Sequence, residues 1–201
     1  LCCSLGVAPA RIGYLPYRIA ETAERLAVAF AEHRAWPDND IVSGKCAALA
    51  GMLAHYAQDA CQPLHTTIHY DGRADSVGRS PHSGIHEQVD AAIGRVGMEP
   101  RRSGARTAVV RIDSLMPVVL AQVWWTHALV DSVYAYESGF ASLQTDTPEC
   151  ATVRFCRRLA DRASGFTAGL WGWAWRRSAA VTLEGWLHRD SLDTAFGAAD
   201  Q

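Results

Sequence analysis

Lysine is all but missing from this chain: Lys45 stands alone, and arginine carries the rest of the positive charge. The formal net charge is −2, so there is no bulk basic field to draw in nucleic acid from a distance. Long apolar runs are missing too. The mostly apolar stretch Ala163 to Trp175 is only 13 residues between Arg162 and Arg176. That falls short of the roughly 20 residues a membrane-spanning helix needs. There is no Gly-rich phosphate loop, no internal repeat and no strong strand run, and no Ser or Cys stands in a triad-like context. These absences argue against phosphate-loop nucleotide chemistry, a helical membrane span and covalent catalysis by a side-chain nucleophile. They leave an all-α fold as the expectation.

What is present suits one globular domain. The 201 residues are 49% hydrophobic and 20% charged, enough to bury a core and too apolar for disorder. Six cysteines stand at 2, 3, 46, 61, 150 and 156. Cys46 and Cys61 fall on one expected helix, about 22 Å apart at 1.5 Å per residue, too far to bond to each other. Both read as buried and reduced. Cys2-Cys3 follows no charged or apolar leader, so it is not read as a lipid or signal site.

Helical periodicity organises the chain. Leu15-Pro16 opens a first helix to about Ala31, with Pro at an early position where its missing N–H costs nothing. A second runs from about Ile41 to Cys61 behind the loop Trp36 to Asp40. Residues 62–82 form a long loop of the kind that tends to be functional. A third helix, capped by Ser80 or Ser83, reaches about Val96. A fourth is expected as one long element from Asp113-Ser114 to about Ala141, with Trp124, Trp125, Tyr134 and Tyr136 read as core. A fifth begins near Thr147-Pro148, and residues 178–201 read as a tail.

The chemistry-bearing stretch ends the second helix: His55-Tyr-Ala-Gln-Asp59-Ala-Cys-Gln-Pro-Leu-His65. A second piece, His86-Glu-Gln-Val-Asp90, lies on the third. In each, a His and an Asp stand four apart, stacked on one helix face where they can converge on a cation. Gln62-Pro63 stops the helix and turns His65 back toward it. Either pair alone reads as an ordinary hydrogen-bonded or solvated pair; two pairs plus a Pro-positioned His make a metal site the better reading. Histidine and carboxylate donors without Cys are what a non-structural Zn²⁺ site uses. His65, His86 and Asp90 supply three ligands and leave a position for water. His55 and Asp59 are only two, and need other ligands or a neighbouring ion. The same stripe carries Ala48 and Met52, which predicts that this first pair faces the core. His69, Asp71 and His82 lie in the loop; His82 stands four before His86 and competes with Asp90 on spacing. Arg101, Arg102 and Arg106 lie in an Arg-rich linker and are candidate phosphate contacts, with a solvated loop as the plainer reading.

The run His-x-x-x-Asp-x-x-x-x-x-His with Gln-Pro before its last His resembles the signature of the zinc-dependent phospholipase C and single-strand-specific nuclease superfamily. His86 and Asp90 are similar to its second signature. Gly13-Tyr-Leu-Pro-Tyr-Arg-Ile19 and Phe166-Thr-Ala-Gly-Leu-Trp171 resemble weaker landmarks. The resemblance implies an exported bacterial phosphodiesterase, secreted or periplasmic, with a cluster of up to three Zn²⁺ held between helices. It implies that His55 and Asp59 bind in the two-metal part and that His65, His86 and Asp90 hold one zinc alone. The family's upstream ligands, including a terminal Trp, have no counterpart in residues 1–54, so the chain reads as lacking its N-terminal part. The expected reaction is hydrolysis of a phosphodiester by metal-activated water. The Asp ending of the second signature leans toward single-stranded nucleic acid as substrate. The alternatives are phospholipid headgroups and a non-catalytic, zinc-stabilised helical domain.

Overall fold

The computed structural model describes residues 13–96, 107–144 and 147–185. These are helical, and among them no strand forms; the single bridge pairs Tyr70 with Gly72. The helices are α1 (Leu15–Ala35), α2 (Asp40–Asp59), α3 (Ile85–Arg95), α4 (Leu115–His127), α5 (Val130–Ala135), α6 (Glu137–Ala141) and α7 (Ala151–Ser178), with a 3₁₀ turn at Pro63–Thr66. Among the described residues no helix is long and apolar enough to cross a membrane. The candidate phosphate contacts Arg101, Arg102 and Arg106, Cys2-Cys3, and most of the expected tail lie outside the described residues.

Local chemistry explains most boundaries. Pro16 sits in the first turn of α1, as expected. Asn39 caps α2: its Oδ1 accepts from the N–H groups of Ile41 (3.0 Å) and Val42 (3.2 Å). The expected fourth helix is three. It breaks after His127 and again at Tyr136, with neither Gly nor Pro at the breaks. Packing decides here: the breaks let Val133 and Phe140 turn into a core that a straight continuation of α4 would miss. The fifth helix starts at Ala151, later than Thr147-Pro148 predicted. Trp124 also departs from its expected core position and is 71% exposed, because α4 buries Val119, Gln122 and Thr126 instead.

Two buried clusters result. The first joins Ile19, Leu26, Leu53, Ala57, Cys61 and Val119 with Phe166, Leu170 and Ala174. The second joins Leu64, Ile85, Val89, Val133 and Phe140 with Val153, Phe155 and Leu159. α7 runs through both, its first half in the second cluster and its second half in the first. Gly165 and Gly169 let the extended segment before α4 cross α7 at close range: a Cβ on Gly169 would meet the Val110 carbonyl oxygen at 2.3 Å. The chain passes from the first cluster to the second between Cys61 and Leu64, and His65 follows immediately. The candidate site therefore sits at the edge of the second cluster, just past that crossing.

Candidate metal centre

Two elements bring the site together. The Asn-capped α2 ends at Asp59, and Gln62-Pro63 then starts the 3₁₀ turn that carries His65. The Gln62 Oε1 caps that turn by accepting from the Leu64 N–H. α3 enters from the other side and presents His86 and Asp90 on one face, beside its buried stripe of Ile85, Val89 and Ala92.

His65, His86 and Asp90 each bring one ligand atom to within 4.8 Å of the other two. The tighter approaches are 3.3 Å from His86 Nε2 to Asp90 Oδ2 and 3.6 Å from His65 Nε2 to Asp90 Oδ1. Donors sharing one tetrahedral zinc, with bonds of about 2.0 Å, stand roughly 3.3 Å apart. The two imidazoles lie stacked, centroids 4.9 Å apart and 17° between planes, so their ring edges run side by side.

The donor set passes a stricter test. His65 Nε2 is buried and has no hydrogen-bond partner among the described residues. A buried polar atom without a partner is costly and asks for an explanation. The other nitrogen of each ring is occupied. His65 Nδ1 lies 3.3 Å from Asp59 Oδ1, and His86 Nδ1 lies 3.1 Å from the Tyr70 carbonyl oxygen. The Tyr70 carbonyl holds the proton on the His86 Nδ1, Asp59 stands beside the His65 Nδ1, and the Nε2 atom of each ring lies in the converging group. This is how imidazoles that bind metals are usually oriented. Gln62 Nε2 donates to Asp90 Oδ1 at 2.9 Å, so the carboxylate is fixed as well. The residues present fit a divalent cation.

The first pair behaves differently. His55 Nε2 reaches Asp59 Oδ2 at 3.5 Å, but its side chain is 72% exposed. The core-facing reading of this pair is corrected: Met52 on the same stripe is also exposed, and α2 buries Cys46, Leu53 and Ala57 on another face. Asp59 is half-buried and lies between His55 and His65. Neither His55 nor Asp59 joins the converging group.

Three supporting residues escaped the sequence reading. Gln62 registers there only as part of a helix stop and of the Gln-Pro step in the signature, not as a donor to Asp90. Tyr70 acts through its main chain, which no side-chain pattern reveals. Asp71 caps α3 in place of Ser80 or Ser83. Its Oδ1 accepts from the N–H groups of Gly84 (2.8 Å) and His86 (3.3 Å). The Ser80 hydroxyl is spent on the Asp71 carbonyl at 2.7 Å. The only advance signal for Asp71 is an Asp before Gly72, whose φ of +97° and contact with Pro81 leave no room for a side chain. His82 is not among the converging ligands; its Nε2 lies 3.5 Å from the Tyr70 hydroxyl. His69 Nδ1 accepts from the Ala74 N–H at 3.0 Å and so staples the loop.

Beside the histidines an open cleft of about 390 Å³ is lined by Leu15, Asp59, Leu64, His65, Thr67, Tyr70 and His86. That volume falls within the usual range for small-molecule sites. Among the described residues no cysteine joins the converging group. Burial pushes the Cys61 thiol up to about 12 and the Cys156 thiol to about 11, so both are neutral at physiological pH. Against known proteins, the chain matches no family model, no curated protein and no solved structure.

Proposed function

We propose that this chain is a zinc-dependent phosphodiesterase domain, with its ion on His65, His86 and Asp90. One observation carries the metal reading: His65 Nε2 is buried without a partner, in a group whose remaining ring nitrogens and carboxylate are already held. The phosphodiester reading rests on the spacing of His55, Asp59, His65, His86 and Asp90 and on its resemblance to the nuclease and phospholipase C signature. A divalent ion bound there supplies Lewis-acid chemistry, polarising a phosphoryl oxygen and acidifying water for in-line attack.

The chain's own residues do the rest. His65 and His86 would turn their Nε2 atoms to the ion, with Asp59 beside the His65 Nδ1 and the Tyr70 carbonyl on the His86 Nδ1. Three protein ligands leave a coordination position for a substrate or solvent oxygen. Leu15, Leu64 and Tyr70 wall the adjacent cleft and give an apolar surface to whatever the phosphate carries. Single-stranded nucleic acid is the favoured substrate class, as an Asp closes the second pair. The test offers denatured DNA and phosphatidylcholine vesicles in parallel, with zinc supplied. Cleavage of the DNA, lost in His86→Ala, is the expected outcome. Hydrolysis of lipid alone would turn the assignment to phospholipase C.

A second reading has its own support. The three ligands join two separate elements, His65 on the turn after α2 beside Leu64 and the other two on α3, whose Ile85 and Val89 share the second core with Leu64. An ion there would staple α3 to the turn after α2 without any catalysis. In that case zinc raises the melting temperature and no phosphodiester is cleaved at any zinc concentration.

A further inference from the structure

The segment from Ala60 to His69 carries both Gln62 and His65, yet its own regular structure is one 3₁₀ turn. It is held from behind by α4 and α5, through three of its carbonyl oxygens. The Thr126 hydroxyl donates to Ala60 O at 2.7 Å. His127 Nδ1 meets Thr66 O at 2.9 Å, and the Tyr134 hydroxyl donates to His69 O. These three carbonyls come before, just after and beyond His65. Ala60 caps the end of α2, where carbonyls lack partners within the helix and need donors from elsewhere.

The first of these bonds ends a buried relay. Arg162 Nε donates to Gln122 Oε1 at 2.6 Å, and Gln122 Nε2 donates to Thr126 Oγ1 at 2.9 Å. Gln122 and Thr126 are almost wholly buried, at 1% and 0% exposed. A buried chain of this kind is tolerable only when every member is satisfied, and it then fixes one geometry. Here the Thr126 hydroxyl accepts from Gln122 and gives its own proton to Ala60 O. The guanidinium at the far end lies over the Trp125 ring, 5.2 Å from its centroid. The relay therefore sets the position of the Ala60 peptide relative to α4 and α7, and the other two bonds set the peptides that follow His65.

We propose that Thr126 and His127 are positioning residues for the His65 ligand: they hold the main chain on both sides of it so that its Nε2 meets His86 and Asp90. The proposal rests on the metal reading above. Its consequence is that geometry at the ion depends on side chains that touch neither the ion nor its ligands.

The test is titration of the metal-free full chain with Co²⁺, whose ligand-field absorption reports coordination geometry. Wild type, Thr126→Val, Thr126→Ser and His127→Ala are compared, each checked for folding by circular dichroism. Thr126→Val and His127→Ala are expected to weaken Co²⁺ binding by about tenfold and to shift its absorption bands. Thr126→Ser, which keeps the hydroxyl, restores both. Folded variants that lose melting temperature but keep wild-type affinity and spectrum would overturn the proposal. If Thr126→Val does not fold, the exposed His127→Ala decides by the same readouts. A wild-type chain that takes up no Co²⁺ sinks the metal reading, and this proposal with it, before any variant is compared.

Discussion

The His55–Asp59 and His86–Asp90 pairs have the same spacing, the same residue types and the same helical setting, and they end up in different chemistry. His86 faces a stacked imidazole and an oriented carboxylate, with its second nitrogen held by a carbonyl. His55 projects into solvent, beside Asp59 and the Tyr56 ring. The distinction lies in what surrounds each helix face. α3 is short, and its ligand face abuts the turn that carries His65. α2 turns Leu53 and Ala57 to the core, which rotates His55 outward while leaving Asp59 at the edge. An i,i+4 pair alone is thus not sufficient for such a site.

The largest effect should separate the two pairs outright. His86→Ala or Asp90→Ala is expected to abolish zinc uptake, a greater loss than the 10–100-fold typical of removing an outer partner. His55→Ala is expected to leave that zinc in place. Zinc content after dialysis reads both, and loss of zinc in His55→Ala would break the comparison.

Asp59 sharpens it. Placed 3.3 Å from His65 Nδ1, it serves the second pair's site from the first pair's helix. Asp59→Asn should weaken zinc binding by about tenfold without eliminating it. Equilibrium competition with a chromogenic chelator measures this, and an unchanged affinity would assign Asp59 to His55 alone.

Stability should follow the same division. Leu64 is fully buried and Met52 is 47% exposed. Leu64→Ala should cost about 2–5 kcal/mol in urea unfolding of the metal-free chain. Met52→Ala should change it by less than about 0.5 kcal/mol. The cap on α3 falls between these: Asp71→Ala should cost about 1 kcal/mol, and Ser83→Ala much less, since Asp71 holds the helix N–H groups.

The smallest effect concerns Cys61, which lies in sequence between the two pairs. With its thiol raised to about 12 by burial, the thiolate fraction is negligible at pH 8 and grows only as pH approaches that value. Peptide mapping after brief treatment with iodoacetamide at pH 8 should find Cys150, which is less buried, labelled well ahead of Cys61.

Helix positions were largely legible in the sequence because they rest on local signals. Pro16 and Asn39 mark their helix starts, and Gln62-Pro63 marks the stop after α2. The break after His127 was not legible: Ala128 and Leu129 are good helix formers, and only the need to bury Val133 and Phe140 in the second core bends the chain there. Likewise, spacing shows that His55 and Asp59 share a face, but the orientation of that face follows from which residues of α2 meet α1. The grouping of His65, His86 and Asp90 as a set that could hold an ion was readable. Their support was not, because the Tyr70 carbonyl, the Asp71 cap and the Thr126 hydroxyl act across long sequence separations through main-chain atoms.

Zinc content per chain, measured by elemental analysis on protein purified without chelator, tests the central claim most directly, with His86→Ala beside the wild type. The account expects about one zinc in the wild type, held at a three-ligand site, and its loss in the variant. No zinc in the wild type even after zinc is offered, or equal zinc in both proteins, would contradict it.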